Sequence, residues 1–188
     1  WRDYGKAEEY MNELLKMGSK DSTLADYGIL YHNLGIVYSH QKKFEEAIGS
    51  FRKSLEIRKS RNDEYGQSIT FHDIAETYMK MEMNDDAIRN FYSALALGRK
   101  VDNIPVISAS YVGLARLKTG RKEFAEALRY FDSALFYANQ IRERKVLLDS
   151  YDGLRTLNAT QGNYKEALKY EQMSRTLGDP SVPVLVSV

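Results

Sequence analysis

The side chains able to do chemistry are few and scattered. There are three histidines, His32, His40 and His72. His32 and His72 lie 40 residues apart, with Asp73 and Glu76 close to the second. Two imidazoles and a carboxylate could hold a metal ion. No His-x-x-x-His pair puts two ligands on one helical face, however, so a polar surface lining accounts better for both residues, and neither metal nor cofactor is expected. Carboxylate pairs occur at Glu8-Glu9, Glu45-Glu46 and Asp85-Asp86. Each lies at or near an expected helix start, where acids complement the helix dipole. No serine, threonine or tyrosine sits in a nucleophile motif, and the glycines form no phosphate-binding loop. No set of nucleophile, base and oxyanion donors can be assembled, so no enzymatic activity is expected. With no cysteine in the chain, disulfides and thiolate zinc sites are excluded.

Charge is equally uninformative about a special partner. Lys and Arg number 27 and Asp and Glu 26, a net charge of +1. That balance argues against nucleic acid and against an anionic membrane surface. The basic clusters Lys42-Lys43, Arg52-Lys53, Arg58-Lys59 and Arg121-Lys122 mostly stand beside acids and read as solvated surface. No run approaches the ~20 apolar residues of a membrane span. The chain opens on Trp1 with no initiator Met and reads as a fragment or a processed form. The compartment stays open. The cytoplasm is favoured, and the periplasm fits if the segment is fused to a membrane sensor.

The elements that position these side chains follow from a repeat. Ala7, Ala47, Ala87, Ala127 and Ala167 fall 40 residues apart, and so do Gly35, Ala75 and Ala115, with Arg155 in the fourth slot. Aromatics keep the same register: Tyr31, Phe71, Tyr111 and Tyr151 precede the first set, and Phe51, Phe91 and Phe131 follow the second. Two antiparallel helices approach closely only where a side chain is missing, and rings on either side fill the remaining space. A lone hairpin cannot bury both faces; stacking the next one does. The pattern therefore predicts an all-α solenoid of helix-turn-helix units.

The expected array spans residues 1–177. It opens with the second helix of a truncated repeat at 4–17. Repeats follow at 22–60, 65–100, 104–139 and 143–177, and 178–188 is a non-repetitive tail or linker. Asn84 is expected to cap a helix and Pro105 to stand at a first helical position. Gly162-Asn163 marks a turn. Glu171 and Arg175 replace Phe and Leu in the last helix, which suits a polar terminal cap.

The order Tyr31, Leu34, Gly35, Tyr38, Phe44, Ala47, Phe51, Leu55 resembles the tetratricopeptide repeat, a helix-turn-helix unit of about 34 residues. The 40-residue period is longer and is similar to that of bacterial signalling proteins and animal adaptor proteins. The resemblance implies a right-handed α-solenoid acting as a protein-interaction module whose first helices line a concave groove. The groove positions are then Ile29, His32, Asn33, Ile36 and Ser39, followed by Ile69, His72, Asp73, Glu76, Met79 and Lys80. Farther along come Ala109, Val112, Gly113, Arg116 and Thr119, and last Asp149, Asp152, Gly153, Thr156 and Ala159. The family's carboxylate clamp would need Lys at His32, Asn at Ile36, Asn at Asp73, Lys at Ala109 and Arg at Gly113. None matches, which disfavours acidic C-terminal peptides.

Asp73, Glu76, Asp149 and Asp152 outnumber Lys80 and Arg116, so a protein or peptide with apolar and basic residues is expected. Ile29, Ile36, Ile69 and Val112 are expected as exposed apolar positions. The leading expectation is the sensory or scaffold part of a larger bacterial regulatory or signalling protein. The alternatives are a peptide-responsive regulator, and a structural element that oligomerises through its end helices or tail.

Overall fold

The computed structural model describes residues 4–17, 24–181 and 183–184. Among the described residues there are nine helices and no strand. The chain divides into two compact units, Trp1–Val101 and Asp102–Val188. The first holds α1 (Tyr4–Met17), α2 (Leu24–His40), α3 (Phe44–Ser60), α4 (Glu64–Lys80) and α5 (Asn84–Lys100). The second holds α6 (Ile104–Gly120), α7 (Phe124–Gln140), α8 (Arg144–Thr160) and α9 (Tyr164–Gly178). The expected helix start at residue 22 lies outside the described residues, as do residues 182 and 185–188 of the tail.

The period has a simple origin. Helices α2 to α8 are each 17 residues long and are joined by three-residue turns, so two helices and two turns make 40. All seven turns have a left-handed middle residue, with φ of 63° at Lys42, 53° at Asn62, 60° at Glu82, 51° at Asp102, 61° at Lys122, 53° at Arg142 and 79° at Gly162, and six of them close the same way. The amide of the next residue then bonds back across the helix end, as in Lys43 N to Tyr38 O at 2.9 Å and Asn163 N to Asn158 O at 2.8 Å. Lys42 N to Ser39 O, at 3.3 Å, supplies the second bond of a Schellman stop. Gly162 favours this conformation and Asn62 and Asp102 tolerate it, whereas Lys42, Glu82, Lys122 and Arg142 have no such preference.

Helix starts are less uniform. Asp63 Oδ1 accepts from Gly66 N at 2.8 Å and caps α4, and Asn103 Oδ1 accepts from Val106 N at 3.4 Å and caps α6. Asn84 does not cap α5. It is the first helical residue, Met83 occupies the cap position without a side-chain bond, and Asp85 and Asp86 supply the acids of the first turn. Pro105 is the second residue of α6 and not the first.

In the first unit, Ala47, Ile48, Phe51, Leu55 and Ile74 form a buried cluster, with Ile36, Tyr38, Phe71 and Tyr78 packed against it. The close approach occurs at Gly35. A Cβ there would lie 2.6 Å from a ring carbon of Phe51, nearer than real Cβ atoms come. Ala75, Ala87, Ala115, Ala127 and Ala167 are buried as well. The second unit has no small residue at Arg155. Its close approach lies two positions earlier, at Gly153, where a Cβ would stand 2.3 Å from the Phe131 ring. Helix α6 buries eleven of its 17 residues and α7 four. In that hairpin the first helix is buried on most sides and the second along one stripe.

Candidate interaction site

In the first unit the facing residues of α2 and α4 form a ladder. His32 Nδ1 lies 3.3 Å from Thr70 Oγ1, and its Nε2 lies 3.2 Å from Asp73 Oδ2. Two helical turns on, Ser39 Oγ lies 3.3 Å from Thr77 Oγ1 and accepts from Lys80 Nζ at 3.0 Å. Each α2 residue thus reaches partners 38 and 41 positions ahead. This is what neighbouring parallel helices in a 40-residue register require, because the two partners sit on adjacent turns of one face.

The ladder revises the expected roles. His32 is only 7% exposed, and its ring packs 5.5 Å from Phe51 at 56°. His72 packs 5.6 Å from Phe91 at the same angle. Val112 holds the equivalent place in α6 and is 5% exposed, so it is not the exposed apolar position the sequence predicts. The slot is a packing slot, and imidazole serves there as a flat ring. Among the described residues no group of three or more His, Asp or Glu could hold a metal ion. Ile29 is 52% exposed. Ile36 is half-buried against the core cluster, and Asn33, Ile69, Asp73, Glu76 and Met79 are also half-buried. Ser39 is buried, and Lys80, though exposed, is tied to it.

The second unit keeps the helices and drops the ladder. Arg116 Nη2 donates to Asp149 Oδ1 at 2.9 Å, Lys145 Nζ to Asp149 Oδ2 at 3.1 Å, and Ser174 Oγ to Asp152 Oδ1 at 3.0 Å. Between α6 and α8 lies a cavity of about 400 Å³, lined by Arg116, Thr119, Gly120, Lys122, Phe131, Asp152, Gly153, Thr156 and Thr160. Thr119, Thr156 and Thr160 each donate to their own helix, to the carbonyls of Ala115, Asp152 and Thr156. Their hydroxyls keep only acceptor capacity toward a ligand.

Of the expected residues, the structure brings Arg116, Thr119, Asp152, Gly153 and Thr156 to this cavity. Val112 and Asp149 are not among its lining residues. Gly120, Lys122 and Thr160 were missed. The 40-residue register could have found two of them, since Gly120 and Thr160 stand one and two repeats beyond Lys80. The acidic floor is largely engaged within the chain, though only Asp149 is paired with cations. Asp73 faces His32, Asp149 faces two cations, and Asp152 shares one oxygen with Ser174.

Fold and site together define an all-α helical-repeat solenoid of the class that binds other proteins. The tetratricopeptide repeat family model matches residues 2–60 and 66–140, and the chain belongs to that family. No curated protein matches the sequence. Several solved structures share the fold. BtubC (BKLC) from P. vanneervenii is 16% identical, with 94% of this chain and 74% of that one covered and a TM-score of 0.78. Aspartyl phosphate phosphatase F from Bacillus subtilis is 15% identical, with 85% and 43% covered and a TM-score of 0.77. A putative kinesin light chain of Podosopora anserina with TPR-like repeats is 18% identical, with 93% and 86% covered and a TM-score of 0.71. This chain spans less than half the length of the phosphatase. At such identities the likeness concerns the fold alone.

Proposed function

We propose that this chain is a non-catalytic docking module that receives a segment of a partner protein on its first-helix faces, as the scaffold or sensory part of a larger regulatory protein. The observation that carries this reading is the cavity of about 400 Å³ between α6 and α8, where a missing ladder leaves threonine and glycine around an open space. Its size falls within the ~300–1,000 Å³ typical of ligand pockets. An apolar side chain suits the Gly153 and threonine-methyl walls. Support for a basic neighbour in the same segment rests on Asp152 and, in the first unit, on Glu76.

A peptide array probed with the whole chain selects binding segments, and fluorescence anisotropy then measures them against two variants. Thr160→Lys places an amine within reach of Thr119, as Lys80 reaches Ser39, and Thr156→Trp fills the space. Both are expected to weaken binding about tenfold or more, the cost of ~1.4 kcal/mol of lost contact. Unchanged affinity in both variants refutes the site. An array that returns only acidic C-terminal peptides refutes the partner chemistry.

A further inference from the structure

The cavity between α6 and α8 has a counterpart in the first unit. There, Ser39, His40, Lys42, Phe44 and Lys80 line a space of about 520 Å³. Ser39, His40, Lys42 and Lys80 stand two repeats before Thr119, Gly120, Lys122 and Thr160, which line the second-unit cavity. Each unit thus has the same slot of the 40-residue register, with different contents.

In the first unit the slot holds an ammonium. Lys80 Nζ donates to Ser39 Oγ at 3.0 Å. Thr77 donates to the Asp73 carbonyl at 2.8 Å, so Ser39 turns its own proton to Thr77 Oγ1, 3.3 Å away, and its lone pairs to Lys80. Thr119 holds the equivalent place in α6 and is as buried as Ser39, each being 7% exposed. Leu157 stands at the Thr77 position and offers no acceptor, and Thr119 gives its proton to the Ala115 carbonyl. Thr160 stands at the Lys80 position, and its proton goes to the Thr156 carbonyl. The Thr119 oxygen therefore keeps its lone pairs for a donor that the second unit does not supply.

We propose that this cavity admits a lysine side chain of the partner segment, whose ammonium takes at Thr119 the place that Lys80 Nζ holds at Ser39. The proposal rests on the docking reading above and names the residue that the cavity recognises. An ammonium is a compact group with three donors on a flexible four-carbon stem. Thr119 and Thr160 accept from it, and the stem lies along Phe131, Gly153 and the threonine methyls. One side chain thus supplies both the apolar and the basic character. The cations at the wall do not exclude it. Arg116 is paired with Asp149. Lys122 is exposed, and it borders the slot as Lys42 borders the one that Lys80 occupies. Asp152 adds a carboxylate where the first unit has His72.

The whole chain, isotope-labelled for amide NMR, is titrated with N-acetyl-lysine methylamide. Its norleucine and Nε-acetyl-lysine counterparts, which keep the stem and lose the charge, are the controls. The lysine probe is expected to shift the amides of Thr119, Gly120 and Thr160 with an affinity about tenfold or more above the controls. Thr160→Lys supplies an internal amine and is expected to remove the response. Lys80→Thr empties the first-unit slot and is expected to add a response at Ser39 and His40. No response to the lysine probe at Thr119, or one that Thr160→Lys leaves unchanged, overturns the proposal. A Lys80→Thr chain with no new response overturns the equivalence of the two slots, and the proposal with it. An equal response to the norleucine probe also overturns the proposal and leaves the cavity standing as an apolar docking site. The docking reading fails separately, when neither Thr156→Trp nor Thr160→Lys changes the affinity of the array-selected peptides.

Discussion

Two glycine-to-alanine substitutions in the first hairpin should change stability in opposite directions. Gly35 is in α2 and Gly49 in α3, both inside 17-residue helices. Alanine is intrinsically better than glycine in a helix interior by ~1 kcal/mol, and that gain applies at both sites. At Gly49 nothing lies within 4 Å of the new methyl, so the full gain should appear. At Gly35 the methyl would stand 2.6, 2.7 and 2.9 Å from three ring carbons of Phe51. Phe51 is 1% exposed and cannot swing into solvent. Overpacking of this kind costs about 1–3 kcal/mol, so the net effect is a loss of up to ~2 kcal/mol. The two variants should therefore differ by ~1–3 kcal/mol, about 0.5–1.5 M in urea midpoint at a slope of ~2 kcal/mol/M. Circular dichroism in urea measures both. Phe51→Leu, costly alone, should cost less in the Gly35→Ala background, giving a coupling of ~1 kcal/mol. If Gly35→Ala raises the midpoint as Gly49→Ala does, the missing Cβ does not set the helix approach.

Arg58 is buried, and its Nε and Nη1 lack hydrogen-bond partners, with Asp63 Oδ2 3.9 Å from Nε. Burial holds the guanidinium pKa below its usual range, an effect the nearby Asp63 and Asp73 carboxylates only partly oppose. Arg58→Met is expected to raise stability by ~1 kcal/mol, measured by thermal unfolding, because an apolar chain of similar length removes the desolvation cost. Helix α1 is held by Lys43 Nζ on Glu8 Oε2 at 2.8 Å, by Gln41 Nε2 on the Tyr4 carbonyl at 3.1 Å, and by the Tyr4 ring stacked 4.9 Å from His40. The Lys43 hydrogen bond holds the Glu8 carboxyl below its ordinary 4.5. A lowered folded-state value means the contribution is present above pH 4.5 and is lost as pH falls through the lowered value. Amide exchange, corrected for its intrinsic pH dependence, should show α1 loosening in that window before α3 to α5.

What could be read in the sequence was the part sterics dictates. Close helix approach demands a small residue and a ring beside it, and Ala47 with Phe51, or Ala127 with Phe131, states that demand in residue types. The histidine slot was harder to read. Polarity assigned His32 and His72 to an open surface, whereas packing uses them as rings against Phe51 and Phe91. The turn residues were hidden for another reason. Lys42, Glu82, Lys122 and Arg142 have no intrinsic preference for positive φ. They adopt it because the Schellman bonds on either side leave no other path, so only Gly162 announced its turn. Asn84 carries a capping side chain, but the preceding turn already fixes Met83 at the cap position.

The cavity between α6 and α8 follows from the same register that closes α2 onto α4. Offsets of 38 and 41 take His32 to Thr70 and Asp73, and Ser39 to Thr77 and Lys80. Applied in the second unit, they take Val112 to Ser150 and Gly153, and Thr119 to Leu157 and Thr160. None of these pairs can reproduce the ladder. Val112 and Leu157 have no polar atom, and Gly153 has no side chain. Thr119 donates to the Ala115 carbonyl and Thr160 to the Thr156 carbonyl, so neither hydroxyl has a proton for the other. The cavity walls include Thr119, Gly153 and Thr160, three of the six positions where bonds would have formed. A repeat fold is held by alanine and phenylalanine at its crossings, so it survives the loss of the ladder. The ladder positions are therefore free to differ between repeats without altering the backbone plan. That is why one copy of the plan can be closed and another open, and why recognition in such a chain is to be sought where a repeat omits a bond its neighbour makes.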